Sequence, residues 1–377
     1  PVASRSITSS RISPMSAVSQ FHTLTVRDVS RNTRDAIVVT FDVPPALAPA
    51  FAFRPGQYLT LRAVIDGQEQ RRSYSICAAP GDGRLRVAIK RVDDGVFSSW
   101  ANRELAPGHA VDVMGPAGNF TVDFDPASRR HYAAFAVGSG ITPVFSLVKS
   151  ALEIEPHSRF TLFYGNRASS AVLLREEIED LKNRYMDRFS VIYVMSREVQ
   201  DIELFNGRLD GAKVERLLTV WLDPASIDYA FVCGPQSMTE EVVQSLQRKG
   251  VPRDRIKFEL FGAPRGPRAL RTGVEPRLAP GKGQCEVTVV QDGRSRSFVI
   301  DKNRHSVLDA ALAQGIELPY SCKGGVCSTC RCKVVEGEVD MDANFALEDY
   351  EIARGFVLTC QSYPVSDRLV LDFDQET

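Results

Sequence analysis

The first third of the chain alternates apolar and polar positions with a period of two. Turn-forming pairs such as Pro55-Gly56 and Asp82-Gly83 separate the alternating segments. Alternation bounded by turn residues predicts antiparallel strands joined by tight turns. Six short strands at this spacing favour a small antiparallel β-barrel. The predicted strands cover residues 21–26, 36–43, 57–65, 71–77, 85–92 and 110–114.

From residue 131 the pattern changes to apolar strands that alternate with amphipathic helices. This alternation predicts a parallel sheet with helices on both faces. The predicted strands cover residues 132–137, 159–164, 189–195, 229–233 and 256–260. The predicted helices cover residues 142–152, 174–184, 212–218 and 237–249.

A segment rich in proline and glycine, residues 263–283, interrupts the second pattern. Its composition leaves no apolar set for a packed core, so a linker is predicted. Beyond it, a hairpin is predicted around Asp292-Gly293, then a helix beginning at Ser306, and finally a closing strand at 369–373. The predicted domains are a disordered N-terminus (1–20), a barrel (21–126), an α/β domain (127–262), the linker (263–283) and a C-terminal domain (284–377).

Composition and charge argue against several classes of protein. The 377 residues are 44% hydrophobic and 25% charged, with a formal net charge of −1, as in an ordinary globular protein. No strong field for nucleic acid or membrane surfaces is expected, and no apolar run is long enough to span a bilayer. Of the eight cysteines, four lie in one pattern and four are scattered. This usage favours a reducing compartment, so a cytoplasmic location is predicted.

Four cysteines near the C-terminus carry the most specific chemical signal. Cys322, Cys327 and Cys330 have the spacing C-x4-C-x2-C, and Cys360 lies thirty positions after the third. Three thiolates from one loop and a distant fourth form the plant-type pattern for a [2Fe–2S] cluster. The alternatives are a zinc site or a disulfide framework, although zinc sites usually pair two short C-x2-C segments. We therefore predict that these four cysteines hold two irons.

Two stretches of the barrel carry groups that suit a flavin dinucleotide. Arg72-Ser73-Tyr74-Ser75 lies on a predicted strand and offers a cation for phosphate, an aromatic plane and small hydrogen-bond donors. Gly95-Val96-Phe97-Ser98 begins a predicted helix, whose first N–H groups suit phosphate. Each stretch also has a structural interpretation: a surface strand carrying Arg and Tyr, and a plain capped helix.

Gly138-Ser139-Gly140-Ile141-Thr142-Pro143 follows an apolar strand and opens a helix. Its glycines permit the close approach of a pyrophosphate, and the helix dipole favours the anion. Pro143 fits the first helical position, where its missing N–H costs nothing. The segment departs from the G-x-G-x-x-G fingerprint of dinucleotide sites. A tight structural turn is the alternative.

Other candidate groups follow the ends of predicted parallel strands, where ligands bind in open α/β sheets. Arg167, Ser196 and Arg197 would suit a 2′-phosphate, and solvated basic loops are the alternative. Cys233-Gly234-Pro235 ends the fourth strand at the same edge. Cys233 is a candidate for contact with a nicotinamide, although a small cysteine in a core is common.

In their order and spacing, these motifs resemble those of the ferredoxin–NADP reductase superfamily. The segments at 72–75, 95–98, 138–143 and 233–235, followed by the ferredoxin pattern, are similar to the reductase components of multicomponent oxygenases. The resemblance covers residues 21 to about 373 and implies a β-grasp fold around the cluster. It implies FAD on the first two segments and NADPH on the others. It also implies that Glu259, in an acidic-aromatic end, approaches the flavin.

The resemblance implies an electron-transfer enzyme in which no residue needs to act as an acid or base. Electrons would pass from NADPH to FAD, then one at a time to the cluster and on to an oxygenase, expected to be a di-iron protein. A 3-ketosteroid or Rieske-type hydroxylase is the alternative acceptor, and a zinc-stabilised nucleotide sensor is the non-enzymatic alternative. The predicted linker would let the ferredoxin domain alternate between the flavin and the partner.

Overall fold

The computed structural model describes residues 20–261, 283–302 and 304–375. The predicted disordered N-terminus and the predicted linker lie outside the described residues, apart from the last residue of each. Within the described ranges the chain forms an antiparallel barrel, a parallel sheet flanked by helices and a third α+β unit. The predicted fold class is therefore confirmed. Among the described residues, no helix combines the length and the apolar character needed to cross a membrane.

The first sheet is the antiparallel barrel. Its elements are β1 (Phe21–Thr33), β2 (Ala36–Asp42), β3 (Tyr58–Ile65), β4 (Gln68–Ser75), β5 (Leu85–Lys90), α1 (Val96–Glu104) and β6 (Ala110–Ala117). The strands lie in the order β4-β3-β6-β1-β2-β5, and a bridge between Ile76 and Val87 closes the sheet. Strand β1 is longer than predicted. Beyond Val26 its side chains are mostly polar and exposed, so the alternation fades while pairing with β2 continues.

The second sheet is parallel and has helices on its faces. Its elements are β7 (His131–Val137), α2 (Ile141–Ile154), β8 (Arg159–Asn166), α3 (Arg175–Arg184), β9 (Phe189–Met195), α4 (Gly211–Trp221), β10 (Tyr229–Gly234), α5 (Gln236–Arg248) and β11 (Ile256–Leu260). The strand order is β11-β10-β7-β8-β9. The direction of winding therefore reverses between β7 and β10. In open α/β sheets, ligands bind beyond the carboxyl ends of the strands at such a point.

All four predicted helices of this unit begin one residue away from the predicted start, and the shifts of α2 and α3 have a local cause. A 3-10 turn, Gly138–Gly140, precedes α2, so Pro143 is the third residue of the helix and not its first, as predicted. Proline is tolerated there, because the first four N–H groups of a helix have no intrahelical acceptor. Helix α3 begins one residue later than predicted, because Leu174 adopts a left-handed conformation with φ 58°.

The third unit holds the cysteine pattern. Its elements are β12 (Gln284–Gln291), β13 (Arg294–Asp301), α6 (Val307–Ala313), β14 (Arg331–Glu336), β15 (Val339–Met341), α7 (Asp349–Ala353), β16 (Phe356–Leu358), β17 (Ser362–Pro364) and β18 (Arg368–Asp372). The main sheet has the order β13-β12-β18-β14-β16, in which β12 and β18 are parallel. Residues 331–364 carry strands of three to six residues that the sequence pattern did not predict.

The barrel and the parallel sheet pack as one body. Phe120 of the barrel meets Phe231 of β10 edge-on, with 5.6 Å between the ring centroids. The hydroxyl of Ser146 on α2 donates to the carbonyl of Ala78 at 2.6 Å. One apolar core runs through both units. The third unit has a core of its own, built on β12, β18 and α6.

Candidate cofactor sites

The cysteine loop folds into a tight, irregular curve between α6 and β14. Three of its residues have positive φ, namely Lys323 (52°), Gly325 (77°) and Ser328 (38°). A Cβ built on Gly325 would lie only 2.8 Å from the carbonyl oxygen of Ala343, so a side chain cannot be accommodated there without a shift. The loop thus requires glycine at this position, and its curvature turns backbone amides toward the cysteine sulfurs.

The four predicted cluster cysteines come together, and their thiols interact in two pairs. Cys322 with Cys327 forms one pair, and Cys330 with Cys360 forms the other. Hydrogen bonding from the partner thiol lowers the pKa of Cys322 to about 6, and that of Cys360 is lowered for the same reason. All four are free of disulfides, so the disulfide alternative is wrong.

Amide groups also donate to the cluster sulfurs. The amide of Gly324 donates to the sulfur of Cys322 at 3.3 Å, and that of Cys322 donates to the sulfur of Cys327 at 3.4 Å. The side-chain amide of Gln361 lies 3.5 Å from the sulfur of Cys360. Among the described residues, no group of three or more His, Cys, Asp or Glu side chains is arranged to hold one metal ion. Two thiol pairs suit two irons with two protein ligands each.

The flavin motif divides between the two faces of β4. The ring of Tyr74 packs beside Phe97, with 5.7 Å between centroids, and Arg72 is exposed, donating to the carbonyl of Arg71 at 2.7 Å. Burial raises the pKa of Tyr74, so its phenol stays protonated. The hydroxyl of Ser73 lies on the other face, 2.8 Å from that of Ser321 in the cysteine loop. Ser73 was predicted as a flavin ligand, but in this structure its hydroxyl is engaged by the third unit.

The second flavin motif caps α1. Gly95 is the residue before the helix, and a Cβ built on it would lie 2.6 Å from the hydroxyl oxygen of Ser98. That hydroxyl accepts from the amide of Val92 at 3.1 Å, so it is used within the turn. Phe97 is 1% exposed in the barrel core, whereas Val96 is exposed. The side chains of Phe97 and Ser98 are thus structural, and the helix N–H groups remain the candidates for phosphate.

The nucleotide loop lies at the reversal point of the parallel sheet. Gly140 contacts the next strand so closely that a Cβ would lie 2.1 Å from the carbonyl oxygen of Cys233. Gly138 has φ +57°, and its carbonyl accepts from the hydroxyl of Tyr164 at 3.0 Å. Thr142 donates to the carbonyl of Ser139 at 3.0 Å. The structure therefore brings the segments 138–143 and 233–235 together at one crevice, where Gly234 ends β10 and Pro235 caps α5.

The basic candidates lie at the same edge, beyond β8 and β9. The amide of Arg197 donates to the carbonyl of Arg167 at 2.8 Å, and that of Ser196 to the carbonyl of Asn166 at 2.9 Å. The side chains of Arg167, Ser196 and Arg197 are exposed. A carboxylate also lies here, because Glu198 accepts from the amide of Ser169 at 2.7 Å.

A buried acid links the barrel to the crevice. Glu259 on β11 accepts a hydrogen bond from the hydroxyl of Ser75 at 3.3 Å. Burial raises the pKa of Glu259 to about 8, although its carboxyl faces a cavity and keeps some exposure. Cys233 on the neighbouring strand is fully buried, which raises its pKa as well, with a smaller contribution from Glu259. Ser75, Cys233 and Glu259 thus meet where the flavin and nicotinamide motifs converge.

Most of the residues that join the third unit to the other two lie outside the sequence motifs, with Ser73 and Cys327 as exceptions. The hydroxyl of Tyr58 donates to the carbonyl of Cys327, and Lys257 pairs with Glu348 at 2.8 Å. Two further hydrogen bonds cross this boundary. Arg71 donates to Glu317 at 3.0 Å, and Asn119 donates to Glu351 at 3.3 Å. The partners lie far apart in sequence, so no local spacing could pair them. A cavity of about 490 Å³ lies between the three units, lined by Tyr58, Glu259 and Cys327 among others.

Three family models match successive parts of the chain. One described as an oxidoreductase FAD-binding domain matches residues 23–122, and an oxidoreductase NAD-binding domain matches residues 135–244. A 2Fe-2S iron-sulfur cluster binding domain matches residues 289–365. The predicted cofactors are thereby confirmed, and the zinc alternative is wrong for the third unit.

Curated relatives match the whole arrangement. A subunit of 1,2-phenylacetyl-CoA epoxidase from Escherichia coli is 43% identical over 94% of this chain and 98% of the relative. The ferredoxin reductase component of 3-ketosteroid-9-alpha-monooxygenase from Rhodococcus rhodochrous is 35% identical over 93% of this chain and 96% of the relative. Among solved structures, phthalate dioxygenase reductase superposes with a TM-score of 0.56 at 24% identity, covering 94% of this chain and 98% of that one.

Proposed function

The chain belongs to the family of iron–sulfur flavoprotein reductases that serve oxygenases, and from that premise we propose that it carries electrons from NADPH to a phenylacetyl-CoA epoxidase. Reductase activity with FAD, a nicotinamide nucleotide and a [2Fe–2S] cluster follows from the family. The nucleotide preference, the roles of single residues and the acceptor are our proposals. The proposed acceptor is a di-iron oxygenase, and the proposed location is the cytoplasm.

One observation supports the electron path most directly: the cysteine loop lies against the flavin strand. Ser321, adjacent to the ligand Cys322, is hydrogen-bonded to Ser73, and Tyr58 on the neighbouring strand reaches Cys327. When bound, FAD accepts two electrons together and releases them singly to the cluster. The chain's own residues hold the two sites in position. Ser75 is buried, and Glu259 and Tyr74 are partly buried, where the two motifs meet.

We assign the cofactor ligands by their places in the fold. Arg72, Tyr74, Ser75 and the N–H groups of residues 95–98 bind FAD. Gly138, Gly140, Thr142, Pro143 and Cys233-Gly234-Pro235 shape the nicotinamide crevice. Cys322, Cys327, Cys330 and Cys360 ligate the irons. Arg167, Ser196 and Arg197 hold the 2′-phosphate, because exposed guanidinium groups at one edge suit a phosphate dianion.

The nucleotide preference is tested by steady-state kinetics with both nucleotides. Arg197→Ala is expected to raise KM for NADPH about tenfold and to leave KM for NADH nearly unchanged, as expected for loss of one charge-assisted contact. Arg294→Ala, an exposed arginine of β13, is the matched control. An equal effect on both nucleotides would remove the NADPH assignment.

The acceptor is tested by reconstitution. We expect NADPH-dependent product formation when the purified chain is combined with the oxygenase components of a phenylacetyl-CoA epoxidase. A 3-ketosteroid monooxygenase is the second candidate acceptor, favoured by the 35% identity to its reductase. Turnover with the steroid oxygenase and none with the epoxidase would replace the first acceptor by the second.

A further inference from the structure

We propose that Tyr58 is a positioning residue that fixes the cysteine loop against the flavin strand during electron transfer within the chain. This inference rests on the proposed function and adds a residue to it. Tyr58 lies at the start of β3, opposite Ser75 of β4, so its side chain shares a face with Ser73 and Ser75. Its hydroxyl donates to the carbonyl of Cys327, a cluster ligand, and lies 3.0 Å from the hydroxyl of Thr329.

The ring of Tyr58 is held from behind by the loop after β6. A Cβ built on Gly118 would lie 3.0 Å from two carbons of the ring, Cδ1 and Cε1. Gly118 has φ +110°, which disfavours any other residue. The side chain is 4% exposed. Because the ring of Tyr58 is buried and packs against Gly118, its hydroxyl can donate in one direction only, toward the cluster loop.

The position of Tyr58 differs from that of the other contacts across the same boundary. The ion pairs of Arg71 with Glu317 and of Lys257 with Glu348 end on carboxylates of the third unit that are 66% and 35% exposed, and neither pair involves a cluster cysteine. Tyr58 belongs to the barrel, and its side chain forms a hydrogen bond directly with the backbone of a cluster ligand. A shift of its hydroxyl would therefore move Cys327 relative to β4, and with it the separation across which an electron passes.

Tyr58→Phe removes the hydroxyl and keeps the ring. In anaerobic stopped-flow experiments on the holoprotein with NADPH, we expect flavin bleaching at the wild-type rate and cluster reduction about tenfold slower. The electron paramagnetic resonance spectrum of the reduced cluster should also shift, because the carbonyl of Cys327 loses a donor. Hydrogen–deuterium exchange at residues 326–330 should become several-fold faster. Tyr193→Phe, which removes a hydroxyl bonded to Glu179 at 2.9 Å inside the nucleotide domain, should change none of these.

The outcomes separate this inference from the proposed function. A slower cluster phase with an unchanged flavin phase supports the positioning role. Unchanged rates and an unchanged spectrum in Tyr58→Phe would overturn it, and so would an equal slowing of both phases or loss of the cluster, since these indicate a general structural role. Failure of NADPH to reduce the flavin of the wild-type protein would instead contradict the proposed function.

Discussion

The barrel contacts its two neighbours through surfaces of different chemistry. Toward the nucleotide domain it contributes Phe120 to an apolar core that continues through Phe231. Toward the ferredoxin domain, which has a separate core, it contributes hydrogen bonds and ion pairs such as Ser73 with Ser321. The first surface resembles the interior of one domain, whereas the second resembles a contact between two proteins that associate transiently.

The difference indicates which step of electron transfer requires motion. Burial of apolar surface contributes roughly 25 cal/mol per Å², and exposing it again is costly. Polar contacts exchange for contacts with water, so each contributes only about 0.5–1.5 kcal/mol net, and small polar surfaces between domains permit relative motion. The flavin and nicotinamide sites therefore belong to one rigid body. We therefore propose that the cluster, which lies against the barrel in this structure, becomes accessible to a partner when the polar surface opens.

Truncation of a side chain at the apolar surface should have the largest effect on stability. Phe231→Ala is expected to destabilise the flavin–nucleotide body by about 3–5 kcal/mol, the usual cost of deleting a buried phenylalanine. The temperature of flavin release should fall by roughly 10 °C, as followed by flavin fluorescence. Phe298→Ala, in the ferredoxin core, is the matched control and should lower the temperature of cluster loss instead. A common shift of both transitions in either variant would contradict the division into two bodies.

Glu259, the partly buried acid that links the barrel to the nucleotide domain, should make the stability of the flavin–nucleotide body depend on pH. Glu259 has a folded-state pKa of about 8, above its value in the unfolded chain, so the folded state retains its proton as the pH rises. Stability is therefore lost between about pH 5 and 8. The loss is at most about 1.4 kcal/mol for each pH unit that separates the two pKa values, or about 5 kcal/mol in all. Because the carboxyl is partly exposed, solvent screening reduces the expected loss to on the order of 2–4 kcal/mol.

Glu259→Gln, which stays neutral, should flatten this decline in the temperature of flavin release. Glu215→Gln is the control, because Glu215 is paired with Arg248 at the surface and its pKa is lowered. If the temperature of flavin release falls as steeply with pH in Glu259→Gln as in the wild type, another group causes the decline.

Loss of a polar contact between the nucleotide domain and the ferredoxin domain should have the smallest effect on stability. Lys257→Ala removes the ion pair with Glu348, whose side chains are 21% and 35% exposed, so less than about 1 kcal/mol is expected. Hydrogen exchange at residues 345–350 should rise up to about fivefold, and high salt should produce the same rise in the wild type. Arg216→Ala, which breaks an exposed pair with Glu203 inside one domain, should leave exchange there unchanged. Insensitivity to salt would argue that the surface is not held by charge.

Much of the fold could be predicted from the sequence because the signals were local. The apolar segments of β2, β3 and β5, which are buried over consecutive residues, and the strand–turn–helix order around Gly138 reflect neighbours within a few residues. The cysteine spacing likewise encodes one loop. Strands of three residues such as β16 and β17 carry too few positions for a period to appear. Residues 331–364 were therefore predicted only through the resemblance to a family, whereas the closing strand predicted at 369–373 corresponds to β18.

The site was less predictable where it depends on distant residues. The motif at 72–75 was recognised, but its division between two faces placed the hydroxyl of Ser73 on Ser321, nearly 250 positions away. The N–H groups at 95–98 were predicted to bind phosphate, and the hydroxyl of Ser98 accepts a hydrogen bond from the turn at Val92. Tyr58 lies outside every motif, and its role depends on a docked domain that no local pattern describes.

The proposed movement of the cluster away from the barrel is tested most directly by a covalent link that prevents this movement. The hydroxyl oxygens of Ser73 and Ser321 lie 2.8 Å apart, so Ser73→Cys with Ser321→Cys places two thiols within disulfide reach. In the oxidised double variant, with flavin and cluster content equal to that of the single-cysteine controls, NADPH should reduce both cofactors while turnover of the oxygenase stops. Cleavage of the disulfide should restore turnover. Oxygenase turnover at the wild-type rate with the disulfide intact would contradict the account.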